Sequence, residues 1–68
     1  MADHVYKVVE VVGSSTESIA DGARNAVAKA SETLRGVEWV EVGQIRGHVV
    51  DGKIEHFQVT TKIGFRLE

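Results

Sequence analysis

Val37-Glu38-Trp39-Val40-Glu41-Val42-Gly43-Gln44-Ile45-Arg46-Gly47-His48-Val49-Val50-Asp51-Gly52-Lys53-Ile54-Glu55-His56-Phe57-Gln58-Val59-Thr60-Thr61-Lys62-Ile63-Gly64-Phe65 reads as one long β-hairpin closed by the turn Asp51-Gly52. An Asp-Gly pair is a strong two-residue turn signal, because a type I′ turn needs φ > 0 at both central positions. In the second arm the alternation is clean. Phe57, Val59, Thr61, Ile63, Phe65 and Leu67 share one face, while His56, Gln58, Thr60, Lys62, Gly64 and Arg66 share the other. The first set must pack on a helix, so the second faces away from it. Without a bulge, the turn pairs Val50 with Lys53 and Val49 with Ile54, and so on along the ladder. That register puts Trp39, Glu41, Ile45 and Gly47 on the face of Gln58 and His56, and Val40 and Val42 on the helix face. Trp39, the only tryptophan, then points away from the protomer's own core. A large aromatic there marks an interface or a ligand site. The alternatives are a bulge that returns the ring to the core, or a plain subunit contact.

Upstream of the hairpin, Thr16 to Leu34 has helical spacing, with Ile19, Ala23, Ala26, Val27, Ala30 and Leu34 on one face. This stripe is mostly alanine, which lets a helix sit close to a sheet over a thin core. Arg35 suits the helix dipole and Gly36 is a natural αL stop. His4 to Val12 is valine-rich and reads as a strand, broken by Gly13-Ser14-Ser15. Ser14 with Glu17 matches a capping box, and Ser15 with Ser18 is a second frame. The order is therefore β-α-β-β in one domain, residues 1–68. The first strand must join the hairpin in a three-stranded sheet, because an isolated hairpin is marginal. A one-helix connection leaves open which arm it joins and in which direction.

A chain of 68 residues buries a small fraction of its surface and usually needs a staple. It has no cysteine, and His4, His48 and His56 lack the close pairing of a helical or finger-type zinc site, so no metal is expected. Oligomerisation is the remaining staple. The formal net charge of −2 gives no support to nucleic-acid binding. No apolar stretch approaches the ~18 residues of a membrane span, and Met1-Ala2-Asp3-His4 opens no secretion signal. The absence of cysteine fits a cytoplasmic protein.

No nucleophile with a supporting motif, phosphate loop or acid/base pair of carboxylates is present, so no catalysis is expected. What remains is a binding constellation. Trp39 supplies a stacking face. Gln58 supplies a carboxamide that matches a heterocycle edge with an imide-like N–H beside a C=O. Arg46 and Arg66 are candidates for a phosphate, or else pair with nearby carboxylates. Trp39 and Ile45, the residue expected opposite Gln58, are six positions apart, roughly 20 Å along a strand. A site using both Trp39 and Gln58 therefore draws them from different copies of the chain.

Glu10-Val11-Val12-Gly13-Ser14-Ser15, Trp39-Val40-Glu41-Val42, Arg46-Gly47-His48, Phe57-Gln58-Val59-Thr60 and Gly64-Phe65-Arg66-Leu67-Glu68 together resemble the dodecins, over nearly the whole chain. The bacterial branch looks closest. The resemblance implies an α+β fold, a β-α-β-β protomer whose three-stranded antiparallel sheet wraps one helix, assembled into a hollow dodecamer with tetrahedral symmetry. It implies flavins bound in pairs between tryptophans of symmetry-related subunits, with FMN the usual flavin and riboflavin or FAD the others. By position Trp39 would stack, Gln58 would meet the polar edge of the ring, and Arg46 would lie near the flavin. Some bacterial members also hold coenzyme A, for which Tyr6, Lys29 and Arg66 are the candidates here. The implied role is storage and sequestration of flavin with quenching of its photochemistry, and no turnover. Many members have Trp-Phe at Trp39-Val40 and tyrosine at Phe57; both departures fall on the helix face. The competing reading is a purely structural shell or interaction module in which Trp39 only seals a subunit contact. An enzyme subunit ranks last, because flavins buried face to face leave no open face for a substrate.

Overall fold

The computed structural model describes residues 3–67; Met1 and Ala2 of the N-terminal reading, and Glu68 of the last motif, lie outside the described residues. Four elements follow in the order β1 (Val5–Ser15), α1 (Ile19–Ser31), β2 (Val37–Val50) and β3 (Lys53–Leu67). The sheet has the order β1-β3-β2, and β3 pairs antiparallel with both neighbours. The first strand therefore joins the second hairpin arm.

β1 does not break at Gly13 but runs on to Ser15. Gly13 is there for close approach. A Cβ on it would come within 2.8 Å of the Ala26 Cβ and closer still to the Gly22 carbonyl oxygen. Gly22, Ala26 and Ala30 are the buried helix residues, so the stripe is narrower than the apolar pattern suggested, and Ile19 is left exposed. The helix begins at Ile19, later than Thr16, because Ser18 is the N-cap and its Oγ accepts from the Asp21 N–H at 3.0 Å. Ser15 Oγ accepts from the N–H groups of Glu17 and Ser18 in the preceding turn. Ser14 caps nothing; its carbonyl accepts from Asn25 Nδ2 at 2.9 Å. The helix ends at Ser31, before Leu34, and Gly36 makes its left-handed turn (φ 73°) in the connection to β2.

The hairpin turn is as expected, with Asp51 and Gly52 at φ 52° and 74°. The ladder, however, carries register shifts between Val37 and Trp39, between Val42 and Ile45, and between His48 and Val49. Near the turn the extra residue is Glu55 on β3, and His48 lies opposite His56. At Gly43-Gln44 the extra residue is on β2. The two cancel. Trp39 thus returns to Gly64, its partner in an uninterrupted ladder, and stays on the outer face. Between the bulges the expected facing is inverted. Ile45 and Gly47 pair with Val59 and Phe57 on the helix side, while Arg46 and His48 join Gln58 and His56 outside. A bulge adds one residue to one strand, so every side chain beyond it changes face until a second restores the phase.

The core is thin: Ala26, Ala30, Val59 and Ile63, with Thr61 fully buried beside them and its hydroxyl donating to the Val11 carbonyl at 2.7 Å. Among the described residues, Val59 and Ile63 are the large aliphatics that are fully buried, each contributing about 1.5–3 kcal/mol of transfer free energy. The helix packs mainly on β1 and β3 and only lightly on β2, so Val40, Val42, Ile45 and Val49 of β2 are exposed although they face its side, as is Ile54 at the turn end of β3. The chain is extended, 55 × 20 × 14 Å, with a radius of gyration of 14.0 Å where a compact chain of this length has about 11 Å.

Candidate functional site

Gly64 forms the seat of Trp39. It lies directly across the ladder, and a Cβ there would come within 2.6 Å of the indole Cδ2 and closer still to Cε2 and Cζ2. The ring rests against the backbone at Gly64, and the residue is 40 % exposed. Tyr6 meets its edge at 6.3 Å between centroids and 61° between planes. The Tyr6 hydroxyl donates to Glu38 Oε1 at 2.9 Å, and Arg66 Nη1 lies 3.5 Å from Glu38 Oε2. Glu38 is the bulged residue between Val37 and Trp39. Its hydrogen bond, with partial desolvation and its charge, pushes the Tyr6 hydroxyl pKa above the ordinary value, against a smaller opposing pull from Arg66.

A second outer-face group lies nearer the turn. Arg46 is directly opposite Gln58, and Arg46 Nη2 donates to Gln44 Oε1 at 3.0 Å. Arg46 pairs with no carboxylate, and the Gln58 carboxamide makes no side-chain hydrogen bond, among the described residues. His48 and His56 stack beside them at 4.9 Å. Trp39 and Arg46 are seven positions apart, roughly 23 Å along a strand. Tyr6, Trp39 and Arg66 thus form one group and Arg46 and Gln58 another, and one chain does not bring the two together. Lys29 stands apart from both, on the helix and paired with Glu32 at 3.4 Å.

Between the helix and β2 runs an apolar groove of about 340 Å³ lined by Ala23, Arg24, Val27, Ala28 and Val40. It adjoins a smaller one of about 190 Å³ bounded by Val27, Val37, Glu38, Trp39 and Val40. Sequence reasoning missed Glu38, whose link to Tyr6 and Arg66 depends on a bulge with no composition signal. Gly64 was within reach, as the one side-chain-free position of the outer face opposite the tryptophan.

These features define a class: a small β-α-β-β chain that displays an aromatic seat and an arginine–glutamine pair on the outer face of its sheet. The dodecin family model matches residues 5–68. A curated dodecin from Thermus thermophilus is 44% identical over 64 residues, which cover 94% of this chain and 93% of that one. The solved dodecin of Streptomyces coelicolor is 51% identical, with 100% and 97% of the two chains covered and a TM-score of 0.94. That of Streptomyces davaonensis is 45% identical, with 98% of each chain covered and a TM-score of 0.94. The chain belongs to the dodecin family. Among the described residues, no helix is long and apolar enough to cross a membrane.

Proposed function

We propose that this chain binds, stores and sequesters flavin, FMN in the first place, as a cytoplasmic homododecamer that catalyses no reaction. The observation that carries the reading is the indole of Trp39, seated on Gly64 and partly exposed on the outer face of the sheet. The residues present fit a flavin. Trp39 offers a flat electron-rich surface, and, among the described residues, Gln58 offers a carboxamide with no side-chain partner and Arg46 a guanidinium with no carboxylate, for a phosphate. Arg66 is already partly neutralised by Glu38, which makes it the weaker phosphate partner. It remains, with Tyr6 and Lys29, a candidate for coenzyme A. The separation of Trp39 from Gln58 along the β2–β3 ladder supports a pocket shared between copies. The exposed β2 surface and the extended shape support the assembly that would close it.

Bound flavin would supply a flat, light-absorbing, redox-active ring. Trp39 would hold it by dispersion and burial of π-surface, and an indole in contact would quench its excited state by electron transfer. FMN titrated into the purified protein is expected to lose its fluorescence as it binds. Trp39→Ala removes one stacking face, costing ~1–3 kcal/mol by analogy with base stacking, and should leave the particle mass intact. A purely structural shell predicts the reverse: Trp39→Ala disassembles it, and FMN stays bright in the presence of the parent protein.

A further inference from the structure

We propose that His48 and His56 form a two-imidazole site for a divalent transition-metal ion of the imidazole-preferring class (zinc, copper or nickel), with Glu55 as its positioning residue. The proposal stands apart from the flavin reading. An uninterrupted ladder from the Asp51-Gly52 turn would set His48 against Glu55 and His56 against Gly47, with the imidazoles on opposite faces. The bulge between His48 and Val49 instead makes His48 and His56 direct partners on the outer face. Bulges that re-aim side chains are characteristic of functional positions. The two rings stack at 4.9 Å between centroids and 25° between planes, so the imidazoles are neighbours, and one ring must turn out of the stack for both to meet one ion.

Glu55, the residue displaced by that bulge, adds a second, independent feature. Its Oε1 lies 3.2 Å from Nδ1 of His56. An ionised carboxylate only accepts hydrogen bonds, so Nδ1 carries the proton and the Nε2 lone pair is left for a metal. A carboxylate behind a ligating histidine in this way fixes the orientation of the ring. The His56 side chain is 26 % exposed, which restricts its movement while leaving it accessible. Arg46, a cation on the same face, is turned to Gln44. Among the described residues, no group of three or more His, Cys, Asp or Glu side chains is placed to hold a metal, so the protein supplies two ligands here. Water or a second copy of the chain would complete the coordination. Sequence spacing hides such a site, because the histidines meet across a ladder and only through a bulge.

The test is titration of the full chain with Zn²⁺ alone, and separately Ni²⁺, by calorimetry and by NMR of the imidazole protons. Saturable binding of no more than one ion per chain is expected, with the His48 and His56 resonances moving together. His48→Gln and His56→Gln should each abolish it, Glu55→Gln should weaken it about 10- to 100-fold, and His4→Gln should leave it unchanged. The NMR readout uses the parent protein, so it stands even if a variant fails to assemble. Zn²⁺ that leaves both ring resonances in place, binding that survives either histidine substitution, or binding lost with His4→Gln would each overturn the proposal.

Discussion

Gly64→Ala puts the smallest side chain into the seat of the indole. The backbone at residue 64 has no positive φ, so alanine meets no conformational penalty there, and in a strand it is otherwise neutral or mildly favourable. The one obstacle is Trp39. The new Cβ would lie 2.6 Å from Cδ2 and closer to two other ring atoms, whereas carbon atoms in contact sit at about 3.5–4.0 Å. The ring must therefore move outward by at least about 1 Å. In a slot made of two such rings, both walls advance, and a flat ligand loses its fit to at least one of them. At ~1–3 kcal/mol per stacking face, FMN affinity should fall roughly 5- to 150-fold. The assay is FMN fluorescence quenching, with tryptophan emission reporting the ring and native mass spectrometry the assembly. Parent-like FMN affinity together with an unchanged tryptophan spectrum would refute the seat. Weakened binding from a particle that has fallen apart would not support it.

Gly13→Ala drives a Cβ into the backbone of Gly22 and against Ala26, so the helix must lift from the sheet; a loss of about 1–3 kcal/mol is expected in chemical denaturation. Thr61→Val removes the buried hydroxyl that donates to the Val11 carbonyl and should cost about 1–3 kcal/mol by the same measurement. The Tyr6 hydroxyl should ionise above pH ~10 in a spectrophotometric titration, because Glu38 holds its proton, and Glu38→Gln should lower the midpoint. In linkage terms, a raised folded-state pKa gives a contribution present below the unfolded value and lost as pH climbs through the folded one.

The element order, the turn and the outward tryptophan were legible because each rests on local chemistry. Asp51-Gly52 reads as a turn, alternation through β3 separates Val59 from Gln58, and Ala26 and Ala30 mark the buried stripe. The inverted facing of Ile45 through His48 was not legible, since nothing in the chain's composition marks where a ladder gains a residue. The expectation for Trp39 held only because two such errors cancel between the turn and residue 39. The helix start was also displaced: the capping frames read at Ser14 and Ser15 are taken up by β1, which runs to Ser15, and the cap is Ser18. Glu38 and Gly64 gain meaning only from cross-strand neighbours.

The extra residues at Glu38, Gly43-Gln44 and Glu55 also tell where this hairpin has slack in its length. Removing one residue at any of these points leaves the flanking partners aligned as they are. Removing one elsewhere in β2 or β3 would turn the strand over from that point onward, unless a neighbouring point of slack took up the change. Insertions and deletions introduced along the hairpin should therefore be tolerated at those points and rejected between them.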